Sequence, residues 1–153
     1  MRNNITALTQ NEFLYNDTIK NNIIMNRNIN DNEFLEICQL TYVDEFVKDM
    51  FLGYDTKLEE NGLNLSGGQR QRIMLARMLL KPAKIILIDE GLNAIDINLE
   101  RKILKNILKK YTECTIIIIS HRIENLDLFK KIIHMDKGEI VEKISHPKES
   151  LYD

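Results

Sequence analysis

The sequence predicts an α/β fold in which short, buried strands alternate with amphipathic helices. Two apolar runs rich in β-branched residues, Ile85–Ile88 and Thr115–Ser120, have the length and composition of strands that are buried on both faces. Between them, the stretch from Asp96 to about Lys110 carries apolar residues at helical spacing. This alternation is typical of an open sheet that binds its ligands beyond the carboxyl ends of the strands.

Length, composition and charge are those of one globular domain. The 153 residues are 44% hydrophobic and carry a formal net charge of −2, so no bulk field attracts nucleic acid or an anionic membrane. Cys38 and Cys114 show no metal-ligand spacing, and two isolated thiols fit a reducing compartment. No apolar run approaches the roughly 18 residues of a membrane span, and no secretion signal is expected.

The first predicted element is a strand, Asn4–Thr9, which is followed directly by Gln10. Its inward side chains are expected to be Ile5 and Ala7, with Leu8 a further candidate. Residues 11–23 are rich in Asn and by themselves are typical of a surface loop. Two short helices are predicted next, Asp31 to about Leu40 and Val43 to about Met50, each with one apolar face.

A Ser-Gly-Gly turn opens the following helix. Ser66 can cap the helix N-terminus, and Gln69 completes a Ser-x-x-Gln capping box. Gly67 and Gly68 have no Cβ, so a ligand can approach their N–H groups at the positive end of the helix dipole. The same pattern also fits a well-capped helix with a purely structural role.

This helix is predicted to run to about Leu80, where Lys81-Pro82 stops it. We expect one face of the helix to be buried and its arginines to lie outside that face. The buried face is predicted to contain Ile73, Ala76 and Leu80, and the arginines are Arg70, Arg72 and Arg77.

Acidic residues follow the strand Ile85–Ile88. Asp89 and Glu90 stand at its carboxyl end, where one acid can hold Mg²⁺ and a neighbouring acid can polarise a water molecule. Two acids after a strand also occur as plain solvated charge. Asp96 fits an N-cap of the next helix. His121 directly follows the second strand, where a lone histidine also suits a structural role.

The C-terminal part is predicted to form two strands, Ile132–Met135 and Glu139–Ile144. They flank a turn at residues 136–138 whose glycine is expected to adopt a positive φ. His134 and His146 belong to no motif, and we interpret both as structural or surface residues.

Three motifs occur in a fixed order. Leu65–Gln69 reads LSGGQ, Ile85–Glu90 reads IILIDE, and Asn93–Asp96 reads NAID. Together they resemble the signature, the Walker B strand with its glutamate, and the D-loop of the ATP-binding cassette (ABC) family. Gln10 and the residues after it then resemble the Q-loop region of exporter-type cassettes, and His121 resembles the H-loop histidine.

The resemblance implies a fold, cofactors and a set of site residues. The fold is a partial P-loop NTPase-type α/β sheet flanked by helices, together with the helical subdomain of the family, and the cofactors are ATP and Mg²⁺. The residues implied to bind nucleotide are Ser66, Gly67, Gly68, Gln69, Gln10 and Asp96. Those implied to hold Mg²⁺ are Asp89 and Gln10, and the catalytic residues are Glu90 and His121.

Each role is also taken from the resemblance. The Ser-Gly-Gly turn would clasp ATP bound to a second cassette packed head to tail, and Asp96 would cross that interface. Glu90 would act as base or polarise water, and Gln10 and His121 would sense the γ-phosphate.

Some positions depart from the family pattern. Glu60 stands in a stretch that resembles the contact of exporter cassettes with the intracellular loops, but Glu59 replaces a common glycine there. Near the D-loop, Gly91 and Asn93 replace the usual alanine and serine. Departures in backbone conformation are therefore expected at these two loops.

No stretch matches the Walker A loop, G-x-x-x-x-G-K-[ST]. We therefore expect the carboxyl-terminal part of one cassette, inactive by itself, and Arg2–Ile5 resembles the stretch that precedes the Q-loop strand. The expected divisions are the Q-loop strand and region at 1–25, the helical subdomain with the signature at 26–80, and the remainder at 81–153. The missing Walker A strand would leave Thr115–Ser120 with an open edge.

The resemblance implies part of an ATP-hydrolysing exporter at the cytoplasmic face of the membrane. Its partners would be the other half of the cassette, a second nucleotide-binding domain and transmembrane domains, but not nucleic acid. The sub-pattern Glu60-x-Gly62-x-Asn64-Leu65-Ser66 resembles bacteriocin or peptide exporters more than drug exporters. The alternative is a regulatory or interaction cassette that completes a partner's ATP site, although it would not need Glu90 and His121.

Overall fold

A computed structural model describes residues 4–10, 12–81 and 83–145 of the chain. The chain divides into two compact units, residues 1–120 and residues 121–153, and each is described by itself. Three positions used in the sequence analysis, Arg2, Pro82 and His146, lie outside the described residues.

The first unit contains a three-stranded parallel sheet. Its strands are β1 (Ile5–Leu8), β2 (Ile85–Asp89) and β3 (Thr115–Ile119), and β2 lies in the middle. Leu8 pairs with Ile88, and Asp89 pairs with Ile119, so all three strands end at one edge of the sheet. The predicted α/β class with a parallel sheet is confirmed.

The inward face of β1 is shifted by one residue from the prediction. Ile5 is 50% exposed, whereas Thr6 and Leu8 are buried. The Thr6 hydroxyl donates to the backbone oxygen of Met78 over 3.4 Å, so this face of β1 lies against the helix that carries Met78. The prediction of Ile5 as an inward residue was wrong, because a polar residue with a partner occupies that face.

Burial of the strands is less complete than predicted. In β2, Ile86 and Ile88 are buried but Ile85 and Leu87 are only half-buried. In β3, Ile117 is 45% exposed and the prediction of a fully buried strand was wrong. The reason is position: among the described residues β3 pairs with β2 alone, so it forms an edge of the sheet, as expected without a Walker A strand.

The described part of the first unit contains five α-helices. They are α1 (Ile19–Ile24), α2 (Asp31–Leu40), α3 (Val43–Val47), α4 (Gly67–Leu79) and α5 (Ile97–Lys110). Short 3₁₀ helices occur in this unit at Gly53–Asp55 and Glu60–Gly62, and in the second unit at Leu126–Leu128. Helices α2, α4 and α5 have the predicted bounds within one residue, whereas α3 ends three residues earlier than predicted and α1 was not predicted.

Helix α1 forms inside the segment that the sequence analysis read as a loop. The Thr18 side chain caps it by accepting from the N–H of Asn21 over 3.0 Å. Ile19 and Ile23 are fully buried, so burial of an apolar face against α4 stabilises this short helix.

Two arginines of α4 are buried, contrary to the prediction. Arg72 is 9% exposed and donates to the backbone oxygen of Tyr42 over 2.8 Å. Arg77 is 8% exposed and donates to backbone oxygens of Phe13 and Asn22 over 2.8 and 2.7 Å. These arginines can be buried because backbone carbonyl groups accept hydrogen bonds from their guanidinium groups.

The second unit is built on an antiparallel hairpin of β4 (Lys131–Asp136) and β5 (Glu139–Ser145). Gly138 has a φ of +84° in the turn between them, so the predicted hairpin and its turn are confirmed.

No helix in the described parts of the chain is both long enough and apolar enough to cross a membrane.

Candidate functional site

The turn before α4 has the predicted capping geometry. The N–H of Gln69 donates to Ser66 Oγ over 3.2 Å, and the N–H of Ser66 donates to Gln69 Oε1 over 2.9 Å. Gly67 and Gly68 open the helix, so their N–H groups have no acceptor one turn earlier. The predicted capping box is confirmed, and its backbone geometry suits an anion.

The residues ahead of this turn are tied to the helix and to the segment after β1. Arg70 donates to the backbone oxygen of Leu65 over 2.8 Å. The N–H of Leu14 donates to Asn61 Oδ1 over 3.3 Å. Gly62, at a φ of +65°, lies so close to Leu14 that a Cβ there would be 2.8 Å from Leu14 Cδ1. The Glu60 stretch therefore packs on the loop that follows Gln10.

The two glycines of the turn also have a packing role that the sequence did not reveal. A Cβ on Gly68 would lie 2.9 Å from the backbone oxygen of Ala94, and one on Gly67 would lie 3.1 Å from Ala94 Cβ. Next to this contact, the N–H of Ala94 donates to Gln71 Oε1 over 2.8 Å. The turn and the NAID loop are thus in direct contact within one chain.

Residues from two strand ends meet at the edge of the sheet. Because β1 and β2 are adjacent and parallel, Gln10 lies beside the end of β2, and Gln10 Nε2 donates to Glu90 Oε2. Asn93 Nδ2 donates to the same carboxylate oxygen over 3.3 Å. The structure therefore brings together two of the predicted site residues, Gln10 and Glu90, and it adds Asn93.

The backbone at Glu90 is unusual. Its φ is +52°, in the left-handed region that non-glycine residues seldom adopt. Its N–H donates to the backbone oxygen of Ile119 over 3.0 Å, which fixes Glu90 across the end of β3. Backbone strain of this kind is concentrated at functional sites.

Two further residues predicted for the site are Asp96, in the first unit, and His121, in the second. Asp96 caps α5, because its Oδ1 accepts from the N–H groups of Asn98 and Leu99 over 2.9 and 3.2 Å. The N-cap interpretation of Asp96 is thus confirmed, and a role across an interface stays a prediction. His121 is the first residue of the second unit and is exposed.

Arg77 and Glu12 form a charged contact that sequence reasoning missed. Arg77 Nη1 lies 3.9 Å from Glu12 Oε2. Burial raises the pKa of the Glu12 carboxyl, and the nearby Arg77 guanidinium opposes that shift. A signal was available in the sequence, because Arg77 follows Ile73 by four positions and therefore shares its buried helix face.

An exposed aromatic pair lies on the loop between β1 and α1, next to Glu12 in the sequence. Phe13 and Tyr15 are 53% and 44% exposed, and their ring centroids are 4.9 Å apart in an edge-on arrangement. Arg77 lies 5.6 Å from the Tyr15 ring centroid, so this pair is attached to the C-terminal half of α4.

Comparison with known proteins identifies the family. The sequence profile described as ABC transporter matches residues 1–93, which is more than half of the chain. This chain belongs to the ABC transporter family. The predicted resemblance is confirmed, and the LSGGQ turn lies within the matched part.

Individual ABC proteins are also similar over nearly the whole chain. The ATP-dependent lipid A-core flippase of Legionella pneumophila (strain Lens) is 41% identical over 147 residues, covering 95% of this chain and 25% of the flippase. The lactococcin-A transport/processing ATP-binding protein LcnC of Lactococcus lactis subsp. lactis is 38% identical over 148 residues, covering 95% of this chain and 20% of that protein.

A solved ABC exporter has the same fold. The structure of a bacterial Atm1-family ABC exporter with ATP bound matches with a TM-score of 0.87 and 32% sequence identity, over 99% of this chain and 28% of the exporter chain. The chain spans about a quarter of the length of these ABC relatives.

Proposed function

We propose that this chain is the part of an ABC exporter that binds and hydrolyses ATP together with a Walker A loop supplied from outside this sequence. The observation that carries the proposal is the meeting of Gln10 with Glu90, from the ends of two neighbouring strands, directly beside Asp89. Family membership and the intact LSGGQ turn support it.

The signature turn would act on a second cassette. Ser66, Gly67 and Gly68 present a capped helix N-terminus, which attracts negative charge through its N–H groups and dipole. In a head-to-tail pair this turn would clasp the phosphates of ATP that is bound to the Walker A loop of the partner cassette, together with Gln69.

The residues at the sheet edge fit magnesium. The Asp89 carboxylate and the Gln10 amide oxygen are hard oxygen ligands, as Mg²⁺ prefers. Within the described residues no group of three or more His, Cys, Asp or Glu is close enough to form a metal cage. That sparse set suits Mg²⁺, which is held by one or two carboxylates and the phosphates of its substrate. Bound there, the ion would neutralise charge on the phosphates.

The chain's own residues would position the attacking water. Glu90 would accept a proton from it or polarise it, and the Gln10 and Asn93 amides hold its carboxylate in place. His121 would contact the γ-phosphate. Such sites work mainly through positioning and charge stabilisation.

Partners follow from the same proposal. The other half of the cassette would add a strand at the open edge of β3, where Ile117 and Ile119 are 45% and 47% exposed. Transmembrane domains at the cytoplasmic face of the membrane would contact the loop that carries Phe13 and Tyr15, beside the Glu60 stretch.

Two substrate classes are supported by different observations. The Glu60–Ser66 pattern favours a peptide or bacteriocin, and the lactococcin transporter is a relative. The lipid A-core flippases, however, match at 41% identity, so an amphipathic lipid is the second candidate. Stimulation of ATP hydrolysis by a bacteriocin peptide but not by lipid A, in the reconstituted exporter, would favour the first class. The reverse result would favour the second.

Catalysis is tested by reconstitution. This chain is mixed with a separately produced polypeptide that carries the Walker A half of the cassette, and ATP hydrolysis is measured. We expect activity that Glu90→Gln abolishes. Activity that survives Glu90→Gln would remove Glu90 from catalysis, and a correctly folded mixture without activity would favour the regulatory alternative.

A further inference from the structure

We infer that Gln71 is a positioning residue for Glu90, acting through the NAID loop of the same chain. The inference rests on the proposed function, because it assigns a residue that supports the proposed base. It follows from three contacts that join α4, the loop and the Glu90 carboxylate.

The first contact fastens the loop to α4. Gln71 Oε1 accepts from the N–H of Ala94 over 2.8 Å, and Gln71 lies one helical turn after Gly67. Since a loop N–H is fixed by a side chain rather than by another backbone group, removal of that side chain releases the loop without breaking a helix or strand.

The second contact is the close packing beside this hydrogen bond. Gly67 and Gly68 face Ala94 so closely that a Cβ on either would fall within 3.1 Å of it. Leu92 and Ile95, on either side, are 4% and 2% exposed. The loop is thus held by apolar packing at both ends, and the Gln71 side chain adds a hydrogen bond from α4 to the Ala94 N–H between them.

The third contact connects the NAID loop to Glu90. Asn93 precedes Ala94 and donates from Nδ2 to Glu90 Oε2 over 3.3 Å, while the N–H of Asn93 donates to the backbone oxygen of Glu90 over 3.4 Å. Both bonds are long, so a small shift of the loop would lose them. Glu90 is at a φ of +52° and depends on such neighbours for its orientation.

Gln71 therefore links α4, the helix that begins at the signature turn, to Glu90, the proposed catalytic base of the same chain. In the head-to-tail arrangement, the signature helix of one cassette would contact ATP in one site while Glu90 of that cassette serves the other site. The Gln71–Ala94 bond would lie between the two.

The geometry is tested first on this chain alone, by amide hydrogen exchange at Ala94. Gln71→Met removes the acceptor at nearly constant volume, and Gln71→Glu retains it. We expect Ala94 to exchange about fivefold faster in Gln71→Met, the factor for one net hydrogen bond, and near the original rate in Gln71→Glu. Gln39→Met, at an exposed glutamine of α2, is the matched control and should leave Ala94 unchanged. Equal Ala94 rates in the original chain and Gln71→Met would overturn the inference.

The functional arm uses the complete transporter. Because Gln71 holds the loop and touches no nucleotide in this proposal, Gln71→Met should lower kcat about fivefold with KM within twofold, and Gln71→Glu should restore most of kcat. A rise in KM with unchanged kcat would make Gln71 a binding residue and contradict the inference. If Glu90→Gln retains full activity, the proposed function fails, whereas the exchange result at Ala94 is unaffected.

Discussion

Replacement of Arg77 by methionine removes the side chain that ties α4 to α1 and to the loop after β1. The change deletes three hydrogen bonds of 2.7 to 3.0 Å, two to backbone oxygens and one to Asn22 Oδ1. The backbone oxygen of Asn22 then lacks this donor in a buried setting and that of Phe13 lacks it in a part-buried one, although Asn22 Oδ1 keeps the N–H of Tyr15 at 2.8 Å. Glu12, with its side chain 26% exposed, loses its nearest cation.

The expected magnitude follows from these losses. The unsatisfied buried oxygen of Asn22 costs about 1–3 kcal/mol and the part-buried oxygen of Phe13 costs less, and removal of one partner from a buried charged network costs about 3–5 kcal/mol in total. The Glu12 contact adds little, because its atoms are 3.9 Å apart and Glu12 is partly solvated. We therefore expect Arg77→Met to lower the free energy of unfolding by about 3–5 kcal/mol.

Urea unfolding followed by circular dichroism measures this effect. With an m-value of about 1–3 kcal/mol/M, the midpoint should fall by roughly 2 M. Lys102→Met, an exposed position on α5, is the control and should change stability by less than about 0.5 kcal/mol. A loss below about 1 kcal/mol for Arg77→Met would refute the reasoning, because the buried oxygens would then have found other donors or water.

Three further predictions concern single side chains. Asp96→Ala removes the N-cap of α5 and should cost about 1 kcal/mol in thermal or urea unfolding, while Asp96→Asn should cost less; equal losses would deny the cap its role. Burial raises the pKa of Glu12 in the folded chain, although Arg77 opposes the shift. Protonated Glu12 therefore stabilises the folded chain at pH values below its ordinary pKa of 4.5, and this stabilisation is lost as the pH rises through the raised pKa. Glu12→Gln should therefore gain stability relative to the original chain as pH increases from 4 to 7, and a constant difference across that range would contradict the shift. Burial raises the pKa of the Cys38 thiol to about 12. In the folded chain at pH 8, Cys38 should therefore react with iodoacetamide roughly a thousandfold more slowly than an ordinary thiol. Mass spectrometry of the Cys38 and Cys114 peptides measures the labelling, and modification of Cys38 before the chain is unfolded would contradict the prediction.

Local sequence chemistry was sufficient to predict α4 and the hairpin. Ser66 and Gln69 are three residues apart, and the capping box that this spacing predicts is present. The same holds for Gly138, whose positive φ closes the turn between β4 and β5. These features depend only on residues that are neighbours along the chain, so their geometry could be derived without tertiary structure.

Features that depend on distant partners were predicted less well. Arg77 was predicted to lie outside the buried face of α4, but its donors are taken by residues more than 50 positions earlier in the chain. The sequence of β3 is almost wholly isoleucine, which predicts burial, yet its exposure is set by how many strands lie beside it. Ile5 was placed on the wrong face because four residues cannot fix the phase of an alternating strand.

In the candidate site, too, some positions could be predicted from the sequence and some contacts could not. The positions of Gln10 and Glu90 at neighbouring strand ends could be predicted from the parallel order, and their contact is present. The contact of Gly67 and Gly68 with Ala94 could not be predicted from the sequence, because the motif indicates only that a ligand approaches the two glycines. The departures at Gly91 and Asn93 acquire a local explanation: a Cβ on Gly91 would lie 2.4 Å from Leu8 Cδ2, and Asn93 donates to Glu90.

Calorimetric titration with Mg-ATP tests the central claim most directly, namely that this chain supplies one part of each ATP site. The titration is made on the chain alone, at a concentration where its oligomeric state is known, and again after mixing with the polypeptide that carries the Walker A half. The account predicts no heat of binding for the chain alone and saturable binding for the mixture, weakened by Asp89→Asn. Clear binding of Mg-ATP to the chain alone would contradict it, because the phosphates would then be held by residues other than those proposed here.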